Sequence, residues 1–216
     1  MSTTRETVPA ARESLEPTPV TDPERRAATM ELVEATRALM LAVATTDLPV
    51  DDVVAATKEI AGVADRLGAE ARTRVLRTPF EVPARLREAG EPWRTYGVNP
   101  FGIPLEIHFD GDTARATLIG DALLEGPPDH LHGGFSAHLM DCLLGSLVQG
   151  TGEESVTGSL DLRYLSRTPL DVPLDLHAEI TGRSGRKIHA TGWIEHEGVR
   201  CVEATGLFIT IAGASA

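Results

Sequence analysis

Between Gly133 and Gln149 the chain reads Gly-Gly-Phe-Ser-Ala-His-Leu-Met-Asp-Cys-Leu-Leu-Gly-Ser-Leu-Val-Gln, and the acid inside that run constrains the fold more than any other residue. Phe135, Leu139, Leu143 and Leu147 recur on one helical stripe, and Met140, Leu144 and Val148 on another. A helix over 133–149 is therefore apolar nearly all round and is expected to be buried. Asp141 sits among these side chains, where an ionised carboxylate carries a desolvation cost that partners must offset or chemistry must use. At 100° per residue Gly134 and Asp141 fall about 20° apart on one face and roughly 10 Å apart along the axis. Side chains lean toward the helix amino terminus, so the carboxylate is expected to point back toward the glycines, with Gly145 extending a slot of small residues.

Gly133 and Gly134 open this helix, where backbone N–H groups have no intrahelical acceptor and carry the positive end of the dipole. Such donors stabilise an oxyanion by roughly 3 kcal/mol each. A carboxylate facing them suits acyl transfer, as general base or nucleophile. The alternative is a structural acid in a buried pair, with the glycines only ending a loop.

The rest of the chain supplies the sheet such a helix needs. Leu105, Ile107 and Phe109 alternate with polar residues, Asp110-Gly111-Asp112 signals a turn, and Ala114, Ala116 and Leu118 alternate again, which predicts a hairpin. Further strands are predicted at 155–165, 172–181, 187–196 and 199–211, and the short connections Ser184-Gly185 and Glu197-Gly198 predict antiparallel hairpins among the last three. One helix against a long antiparallel sheet is an α+β arrangement in which the sheet wraps the helix. Upstream, Asp22-Pro23 starts a helix running to about Thr46, and Val53, Val54, Ile60, Val63 and Leu67 mark a second, expected to form an antiparallel hairpin with the first. Residues 1–22 are too poor in large apolar side chains to pack and are expected to be a disordered tail. The organisation is thus a tail at 1–22, a helical extension at 23–78 and a principal domain at 95–213.

Composition narrows the partners. With 20 Lys and Arg against 32 Asp and Glu the formal charge is −12, which disfavours nucleic acid. No uninterrupted apolar stretch long enough to span a bilayer occurs and no secretory signal is recognisable, so no membrane partner and a cytoplasmic location are expected. Cys142 and Cys201 lie in apolar surroundings without paired spacing, and both are read as buried free thiols.

His132-Gly133-Gly134 followed by Asp141 resembles the PaaI-like branch of the hotdog thioesterases, which includes the mammalian THEM-type enzymes. The resemblance spans roughly residues 95–213. It includes Gly126-Pro127-Pro128, the strand from Thr157 to Leu170, the turn Gly185-Arg186-Lys187 and the ending Glu203-Ala-Thr-Gly-Leu-Phe-Ile209. It implies a hotdog fold, a curved antiparallel sheet around a central helix, acting on acyl-CoA without a cofactor. The active unit implied is a homodimer or a dimer of dimers, with sites at the subunit interface. Asp141 matches the catalytic carboxylate, Gly133 the residue whose N–H binds the thioester oxygen, His132 its neighbour, and Thr157 a hydroxyl near the carboxylate supplied across the interface. Simple alternation sets Thr157 with Ser159, Asp161 and Arg163 on the polar face of its strand, opposite Val156, Leu160, Leu162 and Tyr164. Gly134 and His138 are candidates to line the substrate site, and Arg163, Arg167, Arg183, Arg186 and Lys187 to meet the phosphates of coenzyme A. His138, one turn before Asp141, and the long helical lead-in depart from the family pattern. Other readings are a hydratase or dehydratase pairing a His with Asp141, and a non-catalytic acyl-CoA-binding protein. His130, His132, His138 and Asp141 do not make a recognisable metal-ligand spacing, and no metal is expected.

Overall fold

The computed structural model describes residues 22–72, 74–76, 79 and 81–211. The tail expected at 1–22 thus falls outside them apart from Asp22, as do residues 212–213 of the principal domain. Helix α1 (Pro23–Thr45) begins where the sequence signals it, with the Asp22 carboxylate accepting from the Glu24 N–H at 3.0 Å and Pro23 in the first turn. Helix α2 (Val50–Gly68) follows. The two do not form the packed hairpin that periodicity suggested: they do not lie side by side, and α2 buries none of its residues. An apolar stripe shows that a helix has a face to cover, but not which element covers it.

Helix α3 (Glu81–Ala89) and the short strand β1 (Trp93–Arg94) lie in a stretch without a strong period. Strands β2 (Glu106–Asp110) and β3 (Thr113–Ile119) form the expected hairpin, followed by the 3₁₀ turn Ala122–Leu124, against which α1 rests. Helix α4 (Gly133–Gln149) is next, then β4 (Ser155–Tyr164), β5 (Pro173–Ser184), β6 (Lys187–His196) and β7 (Val199–Thr210). Among the described residues the seven strands form one sheet in the order β1-β2-β3-β5-β6-β7-β4, antiparallel throughout. The fold is the α+β hotdog arrangement, a curved sheet around a central helix, preceded by the amino-terminal helices.

Alternation along the strands points Ala114 and Ala116, Leu174, Leu176 and Ala178, and Val202, Ala204 and Phe208 toward α4. From the helix, Leu139, Met140, Leu143, Leu144, Leu147 and Val148 are each 0% exposed. Leu144 lies where the sheet carries no side chains: a Cβ built on Gly192 of β6 or Gly206 of β7 would come within 3.3 Å of its methyl groups. These glycines let helix and sheet approach closely.

Strand β4 breaks its own alternation. Thr157 pairs with Phe208 and Ser159 with Leu207, so the register slips at Gly158 and a β-bulge forms. Leu160 and Leu162 pair with the inward Gly206 and Ala204, and Thr157 pairs with inward Phe208. Thr157 is therefore on the helix side with Leu160, Leu162 and Tyr164, not on the opposite face that simple alternation gave it.

Truncating Leu144 to Ala leaves a void between α4 and the two strand glycines that rigid backbone cannot fill, and is expected to cost about 3 kcal/mol. Denaturant unfolding at fixed protein concentration checks this, with a lowered midpoint and an unchanged slope.

Candidate active site

The buried stripes of α4 leave one face clear of the sheet, carrying Gly134, His138, Asp141, Cys142, Gly145 and Gln149. Asp141 is half-buried rather than enclosed, a correction to a helix expected to be buried all round. The bulge at Gly158 turns Thr157 toward it, and the Thr157 hydroxyl donates to Asp141 Oδ1 at 2.9 Å. This bond forms within one chain, whereas the resemblance implied that the hydroxyl comes from across an interface. Oδ2 has no protein donor among the described residues, which leaves its lone pairs for a water or a carbonyl carbon.

Asp141 and Thr157 lie in a cleft of about 480 Å³ that continues past Cys142, Gly145, Ser146 and Gln149. Its opposite side is built by Leu76, Pro83, Trp93 and Tyr96. The slot thus runs from the carboxylate toward the carboxyl end of α4, opposite to the direction expected from side-chain lean. Gly134 lies outside it, beside the His132 ring.

At the amino end of α4, His132 is the N-cap, and its Nδ1 accepts the Gly134 N–H at 3.0 Å. That bond fixes Nδ1 as an acceptor and uses one of the two candidate oxyanion donors. The Gly133 N–H meets no acceptor among the described residues. The Tyr164 hydroxyl donates to the Gly133 carbonyl at 2.9 Å, and its ring would stand 3.3 Å from a Cβ at Gly133. Eight residues of helix separate Gly133 from Asp141, about 12 Å along the axis. Within one chain the two cannot grip the same carbonyl group.

Tyr96 was not signalled by any motif, yet it stands over the carboxylate's neighbours. Its hydroxyl meets Cys142 Sγ at 3.3 Å, and its ring faces that of His138 with centroids 5.4 Å apart. The His138 ring nitrogens approach Cys142 Sγ at 3.7 and 3.9 Å. His138 makes no hydrogen bond to Asp141. Burial lowers the His138 pKa, against the opposing pull of the Asp141 charge. Burial raises the Cys142 thiol to about 11, with the Tyr96 hydrogen bond opposing and Asp141 adding. Tyr96 itself is raised, first by burial and then by Cys142 and Asp141. Cys201 is buried as expected, whereas Cys142 lines the cleft.

The basic candidates divide between the two ends of the sheet. Lys187 and Arg186 lie at the β5–β6 turn, and Thr157 pairs with Phe208, which pairs with Ile188, so Lys187 is about two strand spacings, ~10 Å, from Thr157. The Arg186 Nε donates to the Thr210 carbonyl at 2.9 Å, and Arg183 is paired with Glu153. Arg163 and Arg167 are exposed near the other end of β4, on the Gly133 side, where Arg163 lies 3.8 Å from Glu203. Among the described residues no three His, Cys, Asp or Glu side chains converge on a point that could hold a metal ion, and no helix is long and apolar enough to cross a membrane.

A crystal structure of a thioesterase superfamily protein superimposes with a TM-score of 0.71 at 28% identity, covering 84% of this chain and 90% of that one. In fold, and over most of its length, the chain is thus similar to a protein of the thioesterase superfamily. The acyl-coenzyme A thioesterase THEM4 of Bos taurus is 31% identical over 114 residues, 51% of this chain and 47% of that protein. The chain therefore spans about half the length of this relative. No family model matches it.

A His with a lowered folded-state pKa binds fewer protons when folded than when unfolded, so its contribution to stability is present above the unfolded value of about 6.5 and declines as pH falls through the folded value. His138→Gln is expected to flatten this part of the stability profile. Denaturation midpoints between pH 7.5 and 5 test it, with an unchanged slope against pH as the contrary result.

Proposed function

We propose that the chain is an acyl-CoA thioesterase of the PaaI-like, THEM-related branch, releasing a free acid and coenzyme A. The observation that carries this reading is the Thr157–Asp141 hydrogen bond in a cleft lined by both polar and apolar side chains. The hydroxyl holds one carboxylate oxygen, and the other faces open space where a thioester can enter. Asp141 takes the proton of a water attacking the thioester carbonyl, or attacks it directly to form a mixed anhydride that water then hydrolyses, releasing the acid and a proton. The tetrahedral oxyanion needs a preorganised donor, and the C–S bond then breaks to release the thiolate, which takes up the proton.

The donor assigned in this reading is the Gly133 N–H, capped in place by His132 and steadied by Tyr164. Because it lies about 12 Å along the helix from Asp141, we place it in a second copy. The site is then composite in a homodimer, with Asp141 and Thr157 from one copy and His132 and Gly133 from the other. Arg186 and Lys187, with Arg163 and Arg167 from the facing copy, are assigned to the phosphates of coenzyme A, whose charge needs a local cationic patch on so acidic a chain. His138 contacts Tyr96 and Cys142 instead of Asp141, which favours hydrolysis over a hydratase that couples a His to an acid.

Thiol release from a panel of acyl-CoAs tests the activity. Asp141→Asn is expected to lower kcat by at least about 10²-fold, the lower range for a lost acid–base group, and Thr157→Ala by less. An equally fast Asn variant, or a natural chain inert on every acyl-CoA, would sink the reading.

The composite site has its own test. Gly133→Pro removes the N–H at a helix position where proline is tolerated. Mixed with Asp141→Asn and allowed to exchange subunits, it is expected to regain about a quarter of the natural activity, because half the dimers then hold one intact site of two. No recovery, with dimers shown to exchange, would place both groups in one chain.

A further inference from the structure

The segment between β1 and β2 that carries Tyr96 is fastened by a residue far away in the chain. Its base is closed by Thr95, whose N–H donates to the Leu105 carbonyl at 2.9 Å and whose hydroxyl accepts the Leu105 N–H at 2.8 Å. Above that base, one guanidinium nitrogen of Arg37, on α1, donates to the carbonyls of Tyr96, Asn99 and Gly102 at 2.8, 2.9 and 3.1 Å. The other terminal nitrogen pairs with Glu34 at 3.1 Å. The Arg37 side chain is only 15% exposed, and its Nε is buried with no partner among the described residues. A charge is desolvated here to converge on three carbonyls of one loop, a cost that surface charge does not normally carry.

The loop needs the restraint. Tyr96 has φ +51°, a left-handed conformation that disfavours residues with a Cβ. The Gly102 backbone crosses the Tyr96 ring so closely that a Cβ there would lie 2.1 Å from it. The ring is thereby pressed down toward His138, with its hydroxyl on Cys142 and the cleft beneath. Met30 of α1 lies over Gly97 of the same loop, 3.5 Å from where a Cβ would be, and Val33 is the buried residue by which α1 docks.

We infer that Arg37 is a positioning residue that holds Tyr96 as one wall of the acyl cleft, so that the amino-terminal helix α1, outside the sheet-and-helix core, sets which acyl chains the site accepts. The clamp rests on geometry alone, while the selection of acyl chains rests on the thioesterase reading above. With the loop fastened, the cleft is bounded by Leu76, Pro83, Trp93 and Tyr96, and an apolar acyl chain lies between them and the Gly145 face of α4. With the loop released, Tyr96 swings away, the cleft lengthens and the half-buried Cys142 becomes more accessible. Both effects can be read on the full chain.

Arg37→Met keeps the apolar stem and removes the donors, and Tyr96→Ala removes the wall itself. Alkylation of Cys142, followed by peptide mass spectrometry well below the unfolding temperature, is expected to be about tenfold faster in both variants than in the natural chain, as for a locally opened segment. In the same variants the ratio of kcat/KM for hexadecanoyl-CoA over butanoyl-CoA is expected to rise about tenfold, the order expected when an apolar pocket changes by a few methylene groups. Unchanged alkylation in Arg37→Met overturns the clamp. Faster alkylation with an unchanged substrate ratio overturns the role in selection. If the natural chain hydrolyses no acyl-CoA, the thioesterase reading and the selection fail together, and alkylation still decides whether Arg37 positions Tyr96.

Discussion

Burial of α4 within the curl of the sheet is the constraint from which the remaining geometry follows. Six large side chains of this helix are fully enclosed, and they fix its rotation and its depth, because a close-packed interface does not deform gradually. Once the rotation is fixed, the face bearing Gly134, His138, Asp141, Cys142, Gly145 and Gln149 is the one the sheet cannot cover. The fold thus delivers an acid at a defined point on a small-residue surface, and other parts of the chain complete that surface. Strand β4 adds a hydroxyl, and the segment after β1 adds an aromatic wall.

That surroundings-first arrangement also explains the electrostatic character of the cleft. Asp141 is the acidic side chain that lines it, and the ionisable groups nearest to it are biased toward their neutral forms. The His138 pKa is lowered, and those of Cys142 and Tyr96 are raised, in each case chiefly by burial. Near neutral pH no second charge is placed beside the carboxylate to pair with it or repel it. Such isolation suits a group whose task is to accept a proton or bond to carbon, and it is achieved by enclosure more than by salt bridges.

Much of this was legible in the sequence, and the failures have definite causes. The boundaries of α4 and the principal strands follow from apolar periods of 3.6 and 2, and Gly185 and Gly198 sit at the tight turns where they were expected. Asp141 stood out because an acid within an apolar helix is costly. Thr157 was found by likeness but assigned to the wrong face, since one bulged glycine shifts the period of everything before it. The direction of the slot was misjudged because the lean of a side chain along a helix says little about which neighbouring elements leave room. Short elements such as β1 carry too few residues to show a period at all. Tyr96 and Arg37 could not be found by motif: the loop's hold on the helix is made by backbone carbonyls, which every residue possesses. The scarcity of tyrosine was the available hint, since the chain has two, Tyr96 and Tyr164, and both hydroxyls end on α4.

The bulge at Gly158 has a further consequence, for how this chain is to be matched to its relatives. Strand residues before and after it obey the same two-residue alternation but out of step, so a position-by-position alignment with a regularly pleated relative is correct on one side of Gly158 and inverted on the other. A single-residue gap belongs at that glycine. Without it, Val156 is set against residues that face a helix, Thr157 against residues that face solvent, and the hydroxyl beside Asp141 disappears from view although the chain has kept it.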